Sequence, residues 1–171
     1  LVGEPAIGHL LKRVLRARDA GMVDNIAFCT TSEKSDDKLV KYISSFPVKI
    51  YRGEVENVLS RMMLAVNDSS DHNVVLRITG DDILIDLEYL GKTIEQHLKT
   101  NSNYTDAKEL PSGTEVEVFD AVTLQLISEL SKVLNGTEYL TNYIIDNLDQ
   151  FKTSSLKVLK KHRLDYRLTI D

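Results

Sequence analysis

Apolar positions recur at helical spacing along the start of the chain. Ile7, Leu10, Leu11, Val14 and Leu15 share one face of residues 6–20, and Lys12, Arg13, Arg16 and Arg18 fall largely elsewhere. This predicts an amphipathic helix that Gly21 ends. Ile26-Ala27-Phe28-Cys29-Thr30 then reads as a short buried strand. Ser35-Asp36-Asp37 opens a second helix through Leu39, Val40 and Ile43, with acids in its first turn. Val48 to Tyr51 is a further strand, Glu56 to Val66 a helix, Asn73 to Ile78 a strand, and Leu87 to Leu98 a helix. Strand and helix alternate through short connections, which predicts a mostly parallel sheet flanked by helices. Thr114 to Phe119 alternates apolar and acidic residues with period two, so one face is buried and the other lined by carboxylates. Asp120 to Val133 and Tyr139 to Asn147 read as helices, and Ser154 to Leu159 and Tyr166 to Ile170 as closing strands. With no internal repeat, low-complexity tract or linker, residues 1–171 read as a single α/β domain.

Composition narrows the function. Hydrophobic residues are 42% and charged residues 27%, ordinary for a globular chain, and no apolar run is long enough for a membrane span. Net charge is −5, which argues against a dedicated nucleic-acid binder. The single cysteine, Cys29, excludes an internal disulfide and fits a reducing, cytoplasmic compartment. His9, His72, His97 and His162 are scattered without metal-ligand spacing, so no zinc site is expected. Cys29 on its apolar strand reads as an inert thiol, Met62 and Met63 as core or near-core residues, and the basic run Lys157 to Arg163 as a solvated face. Without a secretory signal, the Asn-x-Ser/Thr triplets at Asn67, Asn103 and Asn135 read as chance matches.

Three stretches could carry chemistry. Arg77-Ile78-Thr79-Gly80-Asp81-Asp82-Ile83-Leu84-Ile85-Asp86 places adjacent carboxylates where a hydrophobic strand ends. Ligands of open α/β sheets bind there, and paired oxygens suit a hard cation such as Mg²⁺. The same residues also read as a solvated turn capping the next helix. Asp171 is a second acid at the end of an apolar run. Arg52-Gly53-Glu54-Val55-Glu56-Asn57-Val58-Leu59-Ser60-Arg61 follows a strand, with arginines able to counter phosphate charge, or forms a surface loop with a capping acid.

Together these stretches resemble the cytidylyltransferase family that includes spore-coat polysaccharide F-type proteins, CMP-KDO synthetases and acylneuraminate cytidylyltransferases. Leu1-Val2-Gly3-Glu4-Pro5 resembles that family's L-x-G-x-P before its first helix, and Phe28-Cys29-Thr30-Thr31 its strand end before a polar loop. Tyr51-Arg52-Gly53 with Asn57-Val58-Leu59 and Arg61 is similar to RG…DVLxR. Arg77 to Asp86 is similar to RITGDxPLID, and Gly113 with Glu115-Val116-Glu117-Val118-Phe119 resembles DGxDVEVF. Glu138 with Thr141 and Tyr143 resembles EHVTPYI, and Arg167 to Asp171 resembles R(L/W)T(I/L)D. The motifs run the whole length in family order. Ile83 stands for the usual proline, Ser112 for a common Asp, Asn57 for an acid, and Tyr139 and Asn142 for a His and a Pro.

The resemblance implies a three-layer, Rossmann-like nucleotidyltransferase fold and transfer of CMP from CTP to an acidic sugar or phosphonate-like acceptor, with release of pyrophosphate, for surface polysaccharide synthesis. It implies Mg²⁺ held by Asp81 and Asp171 as the catalytic pair, with Asp82 a weaker candidate and Arg77 in support. Arg52, Asn57, Arg61 and Thr79 fall on the nucleotide side, and Glu115, Glu117 and Glu138 on the acceptor side. Glu115 and Glu117 also read as simply the solvated face of a strand. Relatives often pair through the strand near Thr114–Phe119, so a homodimer is expected, with no nucleic-acid or membrane partner. The chain starts at Leu1 rather than Met. The family's first strand and its Gly-rich loop bearing Arg and Lys are therefore expected upstream. Two other readings remain: a metal-dependent glycosyltransferase of related fold, and a silent binding or assembly module.

Overall fold

The computed structural model describes residues 3–68, 74–134 and 140–170, and for 131–134 the backbone alone. Leu1, Val2, His72, Asn73, Asn135, Glu138, Tyr139 and Asp171 lie outside the described residues. The chain forms two compact units, each assembled from separated segments: 1–24, 76–119 and 151–171 in the first, and 25–75 and 120–150 in the second.

The first unit opens with helix α1, Ala6–Asp19, which buries Leu10, Leu11 and Ala17. It stops as its sequence predicts. Gly21 adopts φ +72°, and the Met22 amide returns to the Ala17 carbonyl at 2.9 Å, satisfying a carbonyl left open by the helix end. Helix α4, Leu87–Thr100, is held at both ends. The Asp86 carboxylate accepts from the Glu88 and Tyr89 amides, and Asn101 closes the other end in a left-handed conformation, φ 48°. It packs on strands β4, Tyr104–Asp106, and β6, Thr153–Ser155. Tyr89, Ala107, Leu110 and Val158 form a buried cluster with Leu156 against it.

In the second unit, β1, Ala27–Thr31, lies parallel to β2, Lys49–Gly53, with Ala27 opposite Lys49 and Thr31 opposite Gly53. Helix α2, Asp37–Ile43, connects them after a short 3-10 turn. Helix α3, Val58–Asn67, packs on both strands and on α5, Ala121–Leu134. Leu59 and Met63 of α3, Leu124 and Ile127 of α5, and Leu140 and Ile144 of α6, Leu140–Asp146, are all buried. Each such side chain contributes roughly 1.5–3 kcal/mol by leaving water.

Strand β3, Val74–Arg77, leads into the first unit, and the larger sheet runs in the order β3-β5-β4-β6, with β5 spanning Glu117–Asp120. β4 is parallel to β6 and antiparallel to β5.

Three expectations are corrected. The strand foreseen over Thr114–Phe119 begins only at Glu117. The Glu115 carboxylate accepts from the Gly113 and Thr114 amides at 2.8 and 3.0 Å and bends the backbone into a turn instead. The strand foreseen over Ser154–Leu159 is the shorter β6, Thr153–Ser155. Tyr166 to Ile170 is an extended strap that forms a parallel bridge, Ser112 opposite Arg167, in place of a strand. β4 has no sequence signal in hydrophobic alternation, because two of its three buried residues, Thr105 and Asp106, are polar. Thr105 meets the His97 ring at 3.0 Å, and Asp106 accepts from Ser155 at 2.7 Å.

Candidate active site

The chain leaves β3 at Arg77 and turns sharply. The Asp82 amide donates to the Thr79 carbonyl at 3.1 Å, and the Ile83 amide to the Asp81 carbonyl at 3.0 Å. Ile83 and Ile85 are buried, anchoring the turn from below, and Asp86 caps α4. This stretch therefore alternates between site and scaffold: carboxylates face out at 81 and 82, and apolar side chains hold the turn at 83 and 85.

The two adjacent aspartates differ. The Thr79 hydroxyl donates to the Asp82 carboxylate. Burial pushes the Asp82 carboxyl above its ordinary range against that bond, and the neighbouring Asp81 and Glu115 charges push it further. No described residue donates a hydrogen bond to the half-buried Asp81 carboxylate. Its backbone is engaged instead: the Ile170 amide, last of the strap, donates to the Asp81 carbonyl at 3.1 Å.

Beside this turn lies a polar cavity of about 180 Å³, lined by Arg77, Thr79, Asp82, Tyr104, Asp106, Lys108, Glu115 and Glu117. Glu117 is not a solvated strand face. Its carboxylate takes the Arg77 guanidinium at 2.5 Å and the Tyr104 hydroxyl at 3.0 Å. Burial, first, and the Glu117 and Asp106 carboxylates push the Tyr104 phenol far above its usual range, so it stays a donor. Lys108 lies 3.5 Å from Asp106. Both cations of the wall are thus paired, and the lining keeps a carboxylate excess. Tyr104, Asp106 and Lys108 were missed by sequence reasoning, because they sit on and after the strand that hydrophobic alternation does not reveal.

The foreseen nucleotide-side groups Arg52, Asn57 and Arg61 belong to the second unit. Arg52 donates to the Thr31 and Glu33 carbonyls at 2.9 and 2.8 Å and pairs with Asp37 at 2.8 Å. It braces the loop after β1, where Asp36 also accepts from both Thr30 and Thr31 hydroxyls. Asn57 caps α3, accepting from the Ser60 amide at 2.8 Å. Arg61 donates through Nη1 to the Glu54 and Val55 carbonyls, while its buried Nε has no partner among the described residues. That Nε is a donor left over. Burial pushes the half-buried Cys29 thiol up to about 11, which disfavours its thiolate. Glu138 and Asp171 lie outside the described residues. Among the described residues, no three His, Cys, Asp or Glu side chains converge in a metal-ligating cluster.

The family model described as "Cytidylyltransferase" matches residues 1–169. The chain belongs to the cytidylyltransferase family. It is 33% identical over 95% of its length to an uncharacterized protein of Methanocaldococcus jannaschii. It is 30% identical over 86% of its length to the spore coat polysaccharide biosynthesis protein SpsF of Bacillus subtilis. It spans 65% and 62% of those curated relatives. A solved cytidylyltransferase from Leptospira borgpetersenii superposes over 99% of this chain and 71% of its own, with a TM-score of 0.86 at 22% identity. The fold is the Rossmann-like α/β nucleotidyltransferase fold that the sequence implied. No helix among the described residues is long and apolar enough to cross a membrane.

Proposed function

We infer that this cytidylyltransferase chain carries the site at which CMP passes from CTP to an acidic sugar or related acceptor, releasing pyrophosphate, in polysaccharide synthesis. The observation that supports this reading most is the Asp81 turn. A carboxylate without a hydrogen-bond donor among the described residues stands where the strand ends, and the strap's last described amide bonds that same residue. The residue after Ile170 in the sequence is Asp171, the second acid of the proposed pair. The spore-coat relative supports the polysaccharide context.

The donor chemistry fits Mg²⁺. That ion takes one or two protein carboxylates and fills its shell with phosphate oxygens and water. Asp81 and Asp171 would hold it. When bound, it neutralises phosphate charge and favours ionisation of the attacking hydroxyl. The protein's own groups do the positioning on which transfer at phosphorus depends. Thr79 fixes Asp82 beside the cavity. The carboxylates of the wall accept from acceptor hydroxyls, and their charge excess keeps the acceptor's acidic group outside the cavity.

Pyrophosphate release by the full-length protein tests the reading, with CTP against ATP, GTP and UTP, with and without EDTA, over a panel of acidic sugars. Turnover is expected with CTP alone and lost in EDTA. Asp81→Ala is expected to lower it at least about a hundredfold, the scale of losing several kcal/mol of charge stabilisation. Because the Asp81 side chain holds no described partner and its charge adds to the repulsion at Asp82, the urea midpoint is expected at the wild-type value or slightly above it. An Asp81→Ala protein that turns over CTP at the wild-type rate refutes the assignment.

A further inference from the structure

We propose that Gly113 is a positioning residue that admits the strap of residues 166–170 and through it fixes Asp81. The proposal rests on the functional reading above and adds a residue outside the reacting groups.

Gly113 is buried and adopts φ +91°, a left-handed conformation that side chains rarely take. More telling is what surrounds it. A Cβ built at Gly113 would lie 2.9 Å from the Leu168 carbonyl carbon, 2.9 Å from the Thr169 nitrogen and 3.0 Å from Thr169 Cγ2. Two of these atoms are backbone and have no rotamer by which to yield. The strap therefore crosses the turn at a distance that only glycine permits.

The hydrogen bonds around that crossing run to the Asp81 turn. The Ser112 amide donates to the Tyr166 carbonyl at 3.0 Å, and the Leu168 amide to the Ser112 carbonyl at 2.7 Å. Two residues on, the Ile170 amide donates to the Asp81 carbonyl at 3.1 Å. From the other side of the same turn, the Thr114 carbonyl accepts from the Asp86 amide at 2.8 Å. The segment 112–114 is thus the hub between the strap and both ends of the 81–86 stretch. A methyl group at 113 pushes the strap outward, and the Ile170 to Asp81 bond is the next to open.

Gly21 supplies the control. It has a similar conformation, φ +72°, but a Cβ there meets nothing within 4 Å. Gly21→Ala therefore imposes backbone strain without touching the strap.

The experiment compares the full-length wild type, Gly113→Ala and Gly21→Ala by amide hydrogen exchange and by Mg²⁺-dependent CTP turnover. Gly113→Ala is expected to speed exchange at the Leu168 and Ile170 amides at least about tenfold. It is also expected to lower kcat about a hundredfold, the scale of a 1 Å misplacement, and to raise the Mg²⁺ concentration needed for half-maximal turnover. Gly21→Ala is expected to match wild type on all three. Wild-type exchange at Leu168 and Ile170 in Gly113→Ala overturns the proposal, as does an equal loss of turnover in Gly21→Ala. Should Gly113→Ala fail to fold, Leu168→Pro removes the strap's amide donor without touching Gly113. It must then speed exchange at Ile170 and lower turnover, and wild-type behaviour in both overturns the proposal. A wild-type protein inert toward every nucleotide would sink the functional reading, while the exchange measurements would still decide the role of Gly113.

Discussion

Removing the Glu117 carboxylate should destabilise the first unit. Glu117 and Arg77 meet at 2.5 Å with side chains 18% and 23% exposed. Fully exposed pairs contribute about 0–1 kcal/mol, and breaking a fully buried one costs about 3–5 kcal/mol. At this intermediate exposure water reaches part of the stranded guanidinium, so Glu117→Ala is expected to cost about 2–3 kcal/mol. The Tyr104 hydroxyl also loses its bond to Glu117, but Asp106 stands near enough to take it, which limits that part to about 1 kcal/mol or less. Urea denaturation of Glu117→Ala, Arg77→Ala and the double variant measures the pair directly. The coupling is expected at about 2 kcal/mol, between the exposed and buried limits. Glu117→Gln keeps the shape and one acceptor oxygen and should lose about half as much as the alanine variant. A coupling below about 0.5 kcal/mol would show that solvent screens the pair as it does a surface contact. The account of Glu117 as the organiser of the cavity wall would then fail.

Two further outcomes separate scaffold from site. Burial raises the Asp82 carboxyl in the folded protein, so the charged form is penalised there: its contribution to stability is complete below the unfolded carboxylate pKa and falls as pH rises through the folded one. Asp82→Asn, which keeps an acceptor for Thr79, should therefore raise the urea midpoint at pH 7, with the gain vanishing below about pH 4. A gain that persists at low pH contradicts the cause given. Asn57→Ala should cost about 1 kcal/mol through loss of the α3 cap, and Asn57→Asp should restore it, since aspartate caps equally well and favours a helix N-terminus. An alanine variant as stable as wild type would remove the capping role.

Much of the fold was legible in the sequence because burial follows period. Helix α1 showed in the spacing of Leu10 and Leu11, and its end in Gly21. Helix α4 showed in the helical apolar pattern from Leu87 to Leu98. The Asp81-Asp82 turn was legible for the same reason, because an apolar run gives way at Gly80 to two acids. Family membership was legible in motif order, which no single element carries.

Other features had no local signal. β4 buries Thr105 and Asp106, which look like loop residues until His97 and Ser155 are brought from elsewhere to bond them. Arg52, Asn57 and Glu115 offered charge or polarity that sequence alone leaves available to a ligand. Folding commits them to backbone groups, since buried amides and carbonyls must find partners. The need for glycine at 113 likewise depends on a strap more than fifty residues away in the chain. Local pattern determined which segments bury apolar surface and where acids follow a strand end. Which polar atoms remain open to a ligand was decided only in three dimensions, because hydrogen bonds are allotted among groups that the chain brings together from a distance.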